Sequence, residues 1–183
     1  MDKLFKKISK QFNKLEKELK LLNDTLTNSI NEEKMKKCNI IIYWDIENTP
    51  IPKNKNGFEL VSLIRSYVET IYPNREITIK CYFESQNLSE DNKILLNDAG
   101  CSLHTVPNPY NKKERSDMLI IRDLFDINEN NIVGLISSDG DFKPYLTKLK
   151  ERKIELFVIT NNNKYDIFLP NIIKWHEICS ELC

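Results

Sequence analysis

The chain has 183 residues, 40% of them hydrophobic and 30% charged, which bounds it to one sizeable globular core plus an appendage. Its formal net charge is zero but unevenly placed: residues 1–37 carry ten Lys against six Asp and Glu, +4, and the remainder is −4. A mildly acidic main segment excludes a bulk basic footprint for nucleic acid.

No apolar run approaches a membrane span, and the Lys-rich start lacks the apolar stretch of a signal peptide. Five cysteines (Cys38, Cys81, Cys101, Cys179, Cys183) show neither C-x-x-C nor metal-ligand spacing. Scattered, odd-numbered thiols of this kind predict a reducing compartment, cytoplasmic or nuclear.

Taken in order, residues 1–30 read as a helix. Phe5, Ile8, Phe12, Leu15, Leu19, Leu22 and Leu26 are spaced three and four apart, the seam of a heptad repeat. The stripe either packs in cis or buries itself against a second copy, and the spacing leans toward a homodimer through residues 5–26. A hinge at 31–37 precedes a main domain at 38–183.

Ile40 to Trp44 is a short apolar run, a strand buried on both faces, ending in Asp45, Glu47 and Asn48. A proline-containing loop with Lys53 and Lys55 leads to a helix from Phe58 to Ile71, stopped by Pro73. Ile77 to Phe83 alternates as a strand, and Ser89 caps a helix running to Ala99 with Gly100 after it. A strand at 101–106 precedes a basic loop containing Tyr110, Lys112, Lys113 and Arg115. A well-buried helix follows at 116–125, then a buried strand, Ile132–Ile136, running into S-S-D-G-D-F. A helix from Phe142 to Lys150 tolerates Pro144 in its first turn. A strand at 154–159, the Asn161–Asn163 loop and a less regular end through Trp175 close the chain. This alternation predicts βαβ units and a three-layer α/β/α fold around a mostly parallel sheet.

In such a sheet the carboxyl ends of the strands, and the helix starts after them, share one edge. Asp45, Asp117, Asp139 and Asp141 all fall on that edge. Singly, each has an ordinary use: a turn cap at Asp45, a solvated helix position at Asp117, an N-cap at Ser138 or Asp141. Together they would repel one another without a cation between them, and Mg²⁺ or Mn²⁺ prefers such oxygen donors. Those ions lower the pKa of bound water and clamp the oxygens of a phosphodiester.

W-D-I-E-N-T-P-I-P at 44–52, K-K-E-R-S-D-M-L-I-I-R-D at 112–123 and L-I-S-S-D-G-D-F-K-P-Y-L at 135–146 resemble successive motifs of NYN domains. These are the limkain-like branch of the PIN-like metal-dependent ribonucleases, and the resemblance spans Cys38 to Ile159. It implies a PIN-like fold and an endoribonuclease that hydrolyses single-stranded RNA with metal-activated water. By motif, Asp45, Asp117, Asp139 and Asp141 match the metal-binding acids, and Asn48 the polar residue after the first of them. Ser138 departs from the Gly often found there. Glu47 and Asp123 stand in a second tier. Lys53, Lys55, Lys112, Lys113, Arg115 and Lys143 are the candidate RNA contacts, gripping phosphates without reading sequence. Tyr110 is a candidate stacker, while Trp44, His104 and His176 are read as structural.

Two other readings compete. D-I-E-N-T and S-D-G-D resemble motifs of haloacid-dehalogenase-type phosphatases, whose first Asp is a nucleophile, but Glu47 replaces the second Asp of that pattern. A catalytically silent RNA- or protein-binding module that dimerises through its N-terminal helix is the non-enzymatic alternative.

Overall fold

The computed structural model describes residues 11–27, 38–106, 115–165 and 171–180, the side chains of Arg115 and Lys164 excepted. The chain falls into two compact units, Met1–Lys37 and Cys38–Cys183.

In the first unit, residues 11–27 form helix α1. Phe12, Leu15, Leu19, Leu22 and Leu26 are all exposed on it. Phe5 and Ile8 lie outside the described residues.

In the second unit six strands form one sheet in the order β3-β2-β1-β4-β5-β6. They are β1 (Ile40–Asp45), β2 (Ile77–Glu84), β3 (Ser102–Val106), β4 (Ile132–Ile136), β5 (Leu156–Thr160) and β6 (Ile172–Lys174). Every pairing is parallel. β1 and β4 take the two central places because their side chains are apolar on both faces, which only a doubly covered strand can satisfy.

One face is covered by α2 (Gly57–Ile71), α3 (Glu90–Asp98) and α6 (Trp175–Ser180). Ile40, Ile42 and Trp44 meet Leu60, Ile64, Val68, Leu96 and Trp175 there. The other face is covered by α4 (Arg115–Phe125) and α5 (Lys143–Glu151), where Tyr43, Tyr82 and Val133 meet Ile120, Leu124, Leu146 and Leu149. This is the three-layer α/β/α arrangement expected.

Local signals hold the helices where the sequence sets them. Asn56 and Glu59 close a capping box at the start of α2. The Ser89 hydroxyl accepts from Asn92 N at 3.3 Å, and Gly100 takes the left-handed φ of 76° that ends α3. Gly134 in β4 serves another purpose. A Cβ built there would lie 2.4 Å from Cζ of Phe157, its neighbour on β5, so the ring lies across the bare backbone.

The C-terminal segment is more regular than its sequence suggests. β6 adds an edge strand after β5, and α6 turns Trp175 back onto Trp44 with ring centroids 5.6 Å apart. A three-residue strand is too short for periodicity to reveal. Among the described residues no helix is long and apolar enough to cross a membrane.

Candidate active site

β1 points one way to its next strand, β2, while β4 lies on its other side. The crevice of an open parallel sheet forms at such a reversal, beyond the carboxyl ends of the strands. Asp45 is the last residue of β1, and the loop 137–141 leaves β4 immediately beside it, Trp44 being in register with Ile136.

Asp45 is buried and fully engaged with its neighbours. Its Oδ2 accepts from Ser137 Oγ at 2.7 Å and Asn48 Nδ2 at 2.8 Å, and its Oδ1 accepts from Asn48 N at 3.3 Å. Burial pushes its carboxyl pKa up; the Ser137 and Asn48 hydrogen bonds oppose that, and the Glu47 carboxylate adds to it. The turn is locked behind it: Thr49 N donates to Asp45 O at 3.0 Å, and Trp44 Nε1 to Thr49 O at 2.8 Å.

Ser137 carries the connection onward. While donating to Asp45 it accepts from Asp139 N at 3.1 Å. Asp139 in turn caps a 3₁₀ turn, Gly140–Phe142, by accepting from Asp141 N at 3.0 Å. The helix that follows, Lys143–Glu151, starts from Phe142 with no side-chain cap, so neither Ser138 nor Asp141 caps it.

Asp139 and Asp141 line a cleft of about 150 Å³ with Asp117, Met118, Ile121, Phe142 and Tyr145. Three carboxylates and no basic side chain among the described residues face this space. Asp117 reaches it from the first turn of α4. Asp45 does not line the cleft; it sits one hydroxyl behind, linked through Ser137.

Glu47 does not line the cleft either. It accepts from Glu84 N at 2.9 Å, Asn87 Nδ2 at 2.7 Å and Ser116 Oγ at 2.9 Å. It therefore ties the β1 turn to the end of β2 and to the start of α4, one residue before Asp117.

Asp123 stands apart from the site. It accepts from the Tyr82 hydroxyl at 2.7 Å and pairs with Arg122 at 3.0 Å and Lys80 at 3.6 Å. Burial alone would push its pKa up; Tyr82, Arg122 and Lys80 outweigh that and hold it below the usual carboxylate range. A depressed folded-state pKa gives stability above the unfolded value, lost as pH falls through the folded one. Asp123→Ala is thus expected to cost about 1–2 kcal/mol near neutrality. The gap to the parent should narrow below about pH 4, as urea midpoints across pH would show.

Two supports went unnoticed in the sequence. Tyr165, fully buried after β5, donates its hydroxyl to the Asp139 carbonyl, and Asn162 Nδ2 donates to Ser138 O at 2.7 Å. Burial, then the Asp139, Asp45 and Asp141 carboxylates, push the Tyr165 phenol pKa up. Their position past a strand's carboxyl end was the available signal.

Of the candidate basic contacts, Lys143 has its Nζ 5.4 Å from the Tyr165 ring centroid. Lys53 is exposed and Lys55 half-buried in the loop after β1. Tyr110, Lys112 and Lys113, and the Arg115 side chain, lie outside what is described. His104 stacks on Tyr82 at 4.7 Å and His176 meets Asn161 Oδ1 at 3.0 Å, neither at the cleft.

The donor set suits a hard divalent cation, being carboxylate oxygen throughout. Among the described residues no three His, Cys, Asp or Glu side chains are close enough to cage one. Mg²⁺ seldom needs such a cage, since it keeps several waters and takes one or two carboxylates together with substrate phosphate.

A search of curated proteins finds no match. The family model for the NYN domain matches residues 39–169, which takes in β1 to β5, the whole cleft and Tyr165. A match of that extent means that the chain belongs to the NYN domain family, within the PIN-like nuclease superfamily.

Proposed function

We propose that this protein is a metal-dependent endoribonuclease that hydrolyses phosphodiester bonds of single-stranded RNA. The observation that carries the reading is the acid cleft itself: Asp117, Asp139 and Asp141 facing one space at the carboxyl edge of an NYN domain. Three carboxylates repel a phosphate unless a cation stands between them, so substrate and cation belong together there.

One or two of Asp139, Asp141 and Asp117, together with water and substrate phosphate, would hold Mg²⁺ or Mn²⁺. When bound, such an ion supplies a Lewis acid for a phosphoryl oxygen and a water of lowered pKa. Asp45, with Asn48 and Ser137, fixes the loop that aims Asp139, and Tyr165 and Asn162 hold that loop from the opposite side. Such outer partners typically matter by about 10–100-fold in metal affinity or activity. Lys53, Lys55, Lys112, Lys113, Arg115 and Lys143 are assigned the grip on RNA phosphates from sequence, and Lys143, with its Nζ 5.4 Å from the Tyr165 ring centroid, supports that assignment.

The test is cleavage of an end-labelled single-stranded RNA by the full chain in Mn²⁺, in Mg²⁺ and in chelator. Cutting that needs the metal and yields internal products supports the proposal. A protein that binds the RNA and cuts nothing with either ion would be a binding module instead.

Homodimerisation through residues 5–26 is part of the same proposal, supported by the exposed seam of Phe12, Leu15, Leu19, Leu22 and Leu26. In a parallel pair, Glu18 of each helix would face Asn23 of the other, and Gln11 would face Glu16, so no like charges meet. Leu19→Lys at the middle of that seam is expected to convert a dimer to monomer, read as the mass from sedimentation equilibrium. An unchanged mass would remove this part.

A further inference from the structure

The acid cleft does not end at Tyr145. That side chain also lines a second depression, formed with Leu124, Phe125, Lys148, Leu149 and Arg152. The two hollows share Tyr145 and are both lined by α4 and α5, over a stretch of about 12 Å along α4 from Asp117 to Phe125.

Its surface is unusual for a helix–helix seam. Met118 is 63% exposed and Phe125 48% exposed, two large apolar side chains left on the same groove. Phe125 meets Tyr145 edge to face with centroids 5.9 Å apart, and Lys148 Nζ stands 5.5 Å from the Phe125 centroid. Arg152 is braced at the far end by donating Nη2 to Ile127 O at 2.9 Å. α5 and the turn after it carry Lys143, Lys148, Lys150, Arg152 and Lys153 against one acid, Glu151, in a domain whose net charge is −4.

Aromatic faces interleaved with cations form the platform on which single strands stack without sequence readout. The second hollow, about 30 Å³, is too small to admit a base, so a base would lie across its rings rather than enter it. A protein helix would want a deeper apolar trough than this, and less charge along one wall.

We propose that this groove carries the single-stranded RNA leading away from the acid cleft, with bases stacked on Tyr145 and Phe125 and a phosphate on Lys148. The inference rests on the nuclease reading and adds a path for its substrate. The polyanion leaves the acidic end, where a cation must shield it, and continues past Lys148 and Arg152, the two cations lining the second hollow, of which Arg152 also pairs with Glu129 at 3.8 Å.

The experiment is fluorescence anisotropy of a labelled single-stranded oligouridylate with the full chain in Ca²⁺, a hard cation that takes oxygen ligands, over a salt series, beside cleavage of the same RNA in Mn²⁺. Tyr145→Ala should weaken binding roughly tenfold, as loss of one stacked base does, and Tyr145→Phe should restore it. Lys148→Ala should flatten the slope of log affinity against log salt by about 0.7, the signature of one lost phosphate contact on a single strand. Should Tyr145→Ala fail to fold, the salt slope of Lys148→Ala decides alone. A parent that cuts RNA, with both variants matching it in affinity and slope, overturns the groove and leaves the nuclease. Weakened self-association with unchanged RNA affinity also overturns it, giving the groove to a second copy of the chain. A parent that neither binds nor cuts takes the nuclease reading down as well.

Discussion

Asp139→Asn is expected to lower metal-dependent RNA cleavage by roughly 10²-fold or more while leaving the fold intact. The two halves of that expectation come from different atoms. The side chain caps the 3₁₀ turn through Oδ1, which accepts from Asp141 N, and an amide oxygen accepts that bond equally well. Its backbone amide and carbonyl, held by Ser137 and Tyr165, are untouched by the change. What disappears is one negative charge from a cleft whose other acids are Asp117 and Asp141. Initial rates at matched concentration, with melting curves for both proteins, check both halves. Cleavage equal to the parent's would mean that the nuclease activity does not reside in this cleft, or belongs to a contaminant.

Gly134→Val should be the most damaging single change in the sheet, costing roughly 3 kcal/mol or more. The Cβ alone would stand 2.4, 2.7 and 3.0 Å from three atoms of the Phe157 ring. That ring cannot simply withdraw, because it is buried and packs against Tyr72 at a centroid distance of 5.6 Å. Relief must come from separating β4 and β5 or from repacking the face that α2 and α6 cover. Against a typical total of about 5–15 kcal/mol, the loss leaves little margin. Urea unfolding should show a fall in midpoint, and Phe157→Leu in the same chain should recover part of it, because the two positions share one space. A midpoint within error of the parent would show that the ring has somewhere else to go.

How much of this was legible in the sequence depended on whether the cause was local. β1 and β4 were plain, since a run such as Ile40 to Trp44 has one comfortable place, the middle of a covered sheet. Asp45 and Asp139 followed from them, because the end of a buried strand fixes an edge. Ser89 and Gly100 likewise act within a few residues of themselves. The work of Glu47 was hidden, since its partners Glu84, Asn87 and Ser116 are far away in the chain and no pattern around Glu47 announces them. Tyr165 was hidden for the same reason, and so was the contact of Trp175 with Trp44. Asp123 shared a helix with Asp117, yet its carboxylate is taken up by Tyr82, Lys80 and Arg122. Sequence marked where charge would gather; the fold decided which carboxylates were already engaged.

The strand order places β4, made late, against β1, made first among the strands. On a ribosome, then, β1 can pair with β2 while its other edge waits for residues 132–136. During that wait an apolar strand presents open backbone groups, a hazard that grows with the sequence distance between partners. The same delay reaches the site. Ser137, which joins Asp45 to Asp139, arrives only with β4, and Tyr165 later still. The cleft therefore draws on residues from β1 through Tyr165 and is complete only when most of the domain has been made.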